Sequence, residues 1–130
     1  MVRLGLIVGG IALVAAMWHP AEDVRTIEIG IEHSRFVPGT FTVKPGEKVR
    51  FVIRNDDPID HEFLLGDENV QQIHENGTEA HHGAKPGEVS VAAFHDAETT
   101  FVFDEPGALI FGCHLPGHYA YGMKGTVTIE

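Results

Sequence analysis

The chain of 130 residues contains a single cysteine, so it cannot close an internal disulfide. With 43% apolar residues, it holds enough material to fold around one core without such a staple. Basic residues are scarce: 9 Lys and Arg stand against 19 Asp and Glu, a formal net charge of −10. That balance removes the basic footprint that nucleic-acid phosphates require. No Ser/His/Asp arrangement and no phosphate-binding loop stands out, and neither an internal repeat nor a second domain is visible. Only one long apolar run exists, residues 4–18, preceded by Arg3 and closed by His19-Pro20. It falls short of the roughly 20 residues of a full membrane span and has the length of a secretory h-region. No cysteine directly follows it, which excludes a lipoprotein anchor. Residues 1–23 are therefore expected to be a signal peptide or, if uncut, an N-terminal membrane anchor through residues 1–18. The domain proper is expected to span 24–130 and to sit outside the cytoplasmic membrane, in the periplasm or on the cell-surface side.

Beyond the leader, the dominant pattern has period two. Ile27, Ile29 and Ile31 alternate with polar residues or glycine, as do Val49, Phe51 and Ile53, and later Thr99, Phe101 and Phe103. Alternation of this kind makes half-buried strands. Turn chemistry separates them at Phe36-Val37-Pro38-Gly39, Lys44-Pro45-Gly46-Glu47, Asn55-Asp56-Asp57-Pro58 and Glu105-Pro106-Gly107. Further strands are expected at Phe41–Val43, from His61 to Leu65, over Gly87 to Phe94, over Ala108 to Phe111 and from Thr126 onward. The polar run from Gly66 to Gly87 lacks this period and reads as a long excursion with one helical turn near residues 70–73. Seven or eight short strands with turns every 8–12 residues predict an all-β fold, an antiparallel Greek-key β-sandwich of one domain.

The chemistry lies near the C-terminus, in Cys113-His114-Leu115-Pro116-Gly117-His118-Tyr119-Ala120-Tyr121-Gly122-Met123. A thiolate, an imidazole and a thioether follow at C-x₄-H-x₄-M, and His61 offers a second imidazole after an upstream strand. Two histidines and a cysteine with a weak axial methionine are the ligand set of a mononuclear blue-copper centre. Pro116-Gly117 would turn the chain so that His118 points back at the metal, because Pro presets φ and Gly tolerates positive φ. Gly122 and Gly125 would let the backbone bend on either side of Met123.

The loop C-x-x-P-G-H-x-x-x-G-M resembles the ligand loop of the cupredoxins, most closely that of rusticyanins, auracyanins and sulfocyanins. Residues 45–57, followed by His61-Glu62-Phe63, are similar to the cupredoxin strand that delivers the first histidine. The resemblance covers roughly residues 27–130. It implies one copper ion, Cu(II)/Cu(I), held by His61, Cys113, His118 and Met123. One position departs: plastocyanin and azurin typically have Asn after the first histidine, where it helps to brace the cysteine loop, and this chain has Glu62.

These residues lead to the expectation of a monomeric single-electron carrier, not an enzyme, since four protein ligands leave no open position for a substrate. Its partners would be redox proteins such as a cytochrome with a cationic surface, or an oxidase, which acidic charge would help to steer. The resemblance further implies that His118, as the loop histidine, would be the electron port, with Leu115, Pro116, Tyr119 and Ala120 as an apolar rim. The alternative is copper storage, detoxification or delivery, in which His74, His81 and His82 add a second, weaker site.

Overall fold

The computed structural model of the chain describes residues 23–77 and 84–130. Residues 1–22 of the expected leader, and His81 and His82, lie outside the described residues. Among the described residues there are nine strands: β1 (Arg25–Ile31), β2 (Phe36–Val37), β3 (Thr40–Val43), β4 (Glu47–Asn55), β5 (His61–Gly66), β6 (Glu88–Val91), β7 (Asp96–Phe103), β8 (Gly107–Gly112) and β9 (Lys124–Ile129). Two helices, α1 (Glu68–Asn76) and α2 (His118–Tyr121), interrupt them. One sheet runs β2-β1-β4-β7 and the other β3-β9-β8-β5-β6. The β-sandwich expected from the alternation is the fold observed.

Its pairing is not purely antiparallel. β1 runs parallel to β4, with Ile27 opposite Phe51 and Ile29 opposite Ile53. β3 runs parallel to β9, with Val43 opposite Ile129. Residues 36–37, read as part of a turn, form the short β2, which pairs with the end of β1.

The alternating residues meet in the core as their period requires. Ile29, Ile31, Val49, Phe51 and Ile53 are fully buried between the sheets. Aromatic rings knit the two layers: Phe51 lies 5.3 Å from Phe63, and Phe36 lies 5.3 Å from Phe111 in an edge-on arrangement. Such pairs add to area burial by roughly 0.5–1.5 kcal/mol each.

The excursion after β5 holds two and a half turns of helix where one turn was expected. Asp67 caps α1 by accepting the N–H of Val70 at 2.8 Å, Glu68 places a negative charge at the dipole's positive end, and the helix stops at Gly77. A helix of nine residues is marginal alone. Gln71 anchors it: buried on the inner face, its side-chain amide donates to the backbone oxygens of Ile110 at 2.9 Å and Leu64 at 3.3 Å. This seats α1 across β5 and β8, beside the strand end that leads to Cys113.

Candidate metal centre

Antiparallel pairing of β5 with β8 sets Leu64 opposite Gly112 and Leu65 opposite Phe111. The start of β5 and the end of β8 therefore lie at the same pole of the sandwich. His61 is the first residue of β5, and Cys113 follows directly after β8. The β8–β9 connection supplies the rest of the set, with His118 opening α2 and Met123 immediately preceding β9.

That connection is held by its own backbone. The N–H of Cys113 donates to the oxygen of Met123 at 3.1 Å, and the N–H of Met123 donates to the oxygen of His118 at 3.0 Å. Gly117 and Gly122, at φ 81° and 106°, occupy the left-handed region at either end of α2, which a side chain would resist. Pro116-Gly117 thus turns the chain as expected. Gly125 does not bend it; it lies within β9 opposite Phe111, where an added Cβ would run into the Phe111 ring and the carbonyl oxygen of Gly39.

Three donor atoms converge. Cys113 Sγ lies 3.3 Å from His118 Nδ1 and 4.0 Å from His61 Nδ1, and the two Nδ1 atoms are 3.2 Å apart. A point equidistant from the three lies about 2.1 Å from each, close to the ~2.0–2.3 Å of metal–imidazole and metal–thiolate bonds. Met123 is fully buried beside them, tied to Cys113 by the backbone bond above. Soft sulfur donors with two imidazoles suit copper. The chain's residues fit such an ion.

Burial shapes the protonation of the set. It pushes the Cys113 thiol up to about 11, opposed by hydrogen bonds from the N–H groups of Glu62 and Leu115. It also holds His118 below the usual imidazole value, with the nearby His61 acting in the same direction. His61 and Cys113 are buried, whereas His118 is only partly covered.

Asp57, Gln71 and Glu75 support the set without a motif of their own in the sequence, and Glu62, singled out there, joins them. Asp57 accepts from His61 Nε2 at 2.9 Å. Its carboxyl is lowered: burial opposes this, but hydrogen bonds from the N–H of Ser34, from His61 and from the N–H of His33 outweigh it. Glu62, the departure from the Asn pattern, nonetheless braces the cysteine loop. Its N–H faces Cys113 Sγ at 3.4 Å, and its Oε1 accepts the N–H of His114 at 2.9 Å. Gln71 and Glu75 of α1 take the His114 ring between them, with Nε2 2.7 Å from Gln71 Oε1 and Nδ1 2.6 Å from Glu75 Oε2. Tyr119 stacks on the same ring at 4.5 Å between centroids. His114 is thus a structural pin between helix and loop, its side chain only 2% exposed.

A family model described as "Copper binding proteins, plastocyanin/azurin family" matches residues 24–130. The chain is 38% identical over 114 residues to the copper-resistant cuproprotein CopI of Rubrivivax gelatinosus, covering 85% of this chain and 69% of that one. It is 30% identical over 142 residues to the protein of the same name from Pseudomonas aeruginosa, covering 85% and 78%. Among solved structures, dithionite-reduced auracyanin from the photosynthetic bacterium Roseiflexus castenholzii superposes with a TM-score of 0.69. That match has 25% identity and covers 81% of this chain and 96% of the other.

Proposed function

The chain belongs to the plastocyanin/azurin family of copper-binding proteins, and we propose that within it this protein carries single electrons between redox partner proteins. Bound copper supplies the Cu(II)/Cu(I) couple. His61, Cys113, His118 and Met123 are the residues assigned to hold it. The observation that carries this reading is the convergence of three donors with unequal exposure: His61 and Cys113 are sealed, while His118 reaches the surface. A buried thiolate and imidazole, fixed at the ends of paired strands, resist rearrangement when the metal changes charge. The partly exposed imidazole gives the electron a short exit.

Around His118 lie exposed Pro116, Ala120 and Tyr121, with Leu115 and Tyr119 partly covered. Transient redox encounters use small interfaces, so this rim suffices for docking. The net charge of −10 favours a partner with a basic face, such as a cytochrome or an oxidase. We place the protein outside the cytoplasmic membrane on the strength of its apolar leader, as a monomer without catalytic activity of its own.

A second reading, copper resistance by sequestration or delivery, is favoured by the relatives named copper-resistant cuproproteins. His74 lies with its Nε2 3.5 Å from Glu88 Oε1, and the sequence carries His81 and His82, the other histidines of that reading, a few residues further on. Voltammetry with parallel copper counting separates the two. A carrier shows a reversible one-electron wave with one copper per chain. A sequestering protein binds several equivalents, and most of its copper lies outside that wave.

A further inference from the structure

The Asp57 carboxylate is buried and receives three donors. Oδ1 accepts the N–H of His33 at 2.7 Å; Oδ2 accepts the N–H of Ser34 at 2.7 Å and faces His61 Nε2 at 2.9 Å. His33 and Ser34 sit at φ 51° and 53°, a region that residues with side chains seldom enter and that costs energy to hold. Their two successive N–H groups form a concavity for an anion, and the anion that fills it is Asp57. The loop carrying Asp57 is itself fixed, since Asn55 accepts the Asp57 N–H at 3.0 Å and donates to the oxygens of Ile59 and Ala92.

A carboxylate only accepts, so the hydrogen between Asp57 and His61 resides on Nε2. That leaves the His61 Nδ1 lone pair directed at Cys113 and His118. We infer that Asp57 is a positioning residue of the metal centre, locking His61 as an Nδ1 donor and biasing bound copper toward Cu(II). The inference rests on the ligand set proposed above. A carboxylate on the far nitrogen of a ligating histidine fixes ring orientation and raises its basicity. The added negative charge stabilises the higher oxidation state more than the lower.

The test is Asp57→Asn in the full chain, read by the reduction potential and by competition affinities for Cu(II) and Cu(I). We expect about a 10- to 100-fold loss of Cu(II) affinity. Cu(I) affinity should fall less, and the potential should rise by ~59 mV for every tenfold difference between the two losses. Equal losses for both ions with an unmoved potential would overturn the inference, because a merely structural role predicts that result. If the variant fails to fold, ¹⁵N-imidazole NMR of the Cu(I)-loaded natural protein decides. A slowly exchanging proton on His61 Nε2 supports the lock, and a proton on Nδ1 overturns it. Absence of any thiolate–copper band in the natural protein would count against the ligand set itself, not against Asp57.

Discussion

Glu62 and Cys113 are joined across the gap between β5 and the ligand loop: the N–H of Glu62 lies 3.4 Å from Sγ, and its carboxylate accepts the next N–H along the loop, that of His114, at 2.9 Å. Strand β5 thus holds the cysteine from both sides of its own backbone. Glu62→Ala should leave the His114 N–H without this partner and lower apo-protein stability by roughly 1–3 kcal/mol, the cost of an orphaned donor. It should also shift the visible band of the copper form. Glu62→Gln, which keeps an acceptor, should lose less. Denaturant unfolding and absorption spectra of the two variants check this ordering.

Copper uptake should release a proton. Burial raises the Cys113 thiol to about 11, so near neutral pH the apo-protein holds it protonated, and a metal thiolate forms only as that proton leaves. Calorimetric titration in buffers of different ionisation enthalpy should find close to one proton released per copper, and none from this group in Cys113→Ser.

The same shift fixes the alkaline stability of the apo-protein. The unfolded chain gives up the thiol proton near its ordinary value of 9.0, while the folded chain keeps it to about 11. The folded state binds more protons between these limits, so stability should fall as pH rises through that window. At the acid end Asp57 acts in the opposite sense: its lowered carboxyl contributes stability above the ordinary carboxylate value, lost as pH falls through the folded one. Urea midpoints from pH 3 to pH 11 should trace both limbs, and Cys113→Ser should flatten the alkaline one.

Gly125→Ala should cost roughly 1–3 kcal/mol through overpacking. The added methyl meets the Phe111 ring and the Gly39 carbonyl, and the latter is backbone that cannot rotate away. Gly39→Ala, whose Cβ would find the Phe36 oxygen at an ordinary van der Waals spacing of 3.7 Å, should cost far less. Thermal denaturation of the two apo-variants compares them directly.

His118→Gly should open the centre to solvent, because His118 is the one partly exposed member of the converging trio. The altered visible spectrum should return toward the original when free imidazole is added. Electron exchange should slow with the gap open. Absorption titration with imidazole and stopped-flow reduction measure the two effects.

The ligand loop was legible because its chemistry is local: Cys113, His118 and Met123 share eleven residues, and Pro116-Gly117 announces the turn between them. Strands such as β4 were legible for the same reason, since Val49, Phe51 and Ile53 declare their face within one short segment. Pairing direction is not a local property, so the parallel partners β1 with β4 and β3 with β9 could not be read from alternation. Helix α1 was seen as a single turn because its main anchor, Gln71, bonds to β5 and β8, far from it in sequence. The Asp67 cap three residues before Val70 was the signal available for its start. Asp57 looked like turn chemistry, and it is that, but its bond to His61 appears only once the β1–β2 turn closes over it.

Optical titration of the purified protein with Cu(II) asks whether His61, Cys113, His118 and Met123 together hold one redox-active copper. The expected result is an intense visible thiolate-to-copper band that saturates at one equivalent, bleaches on reduction, returns on oxidation and is absent from Cys113→Ser. Copper binding without that band, or a band that survives in Cys113→Ser, would contradict it.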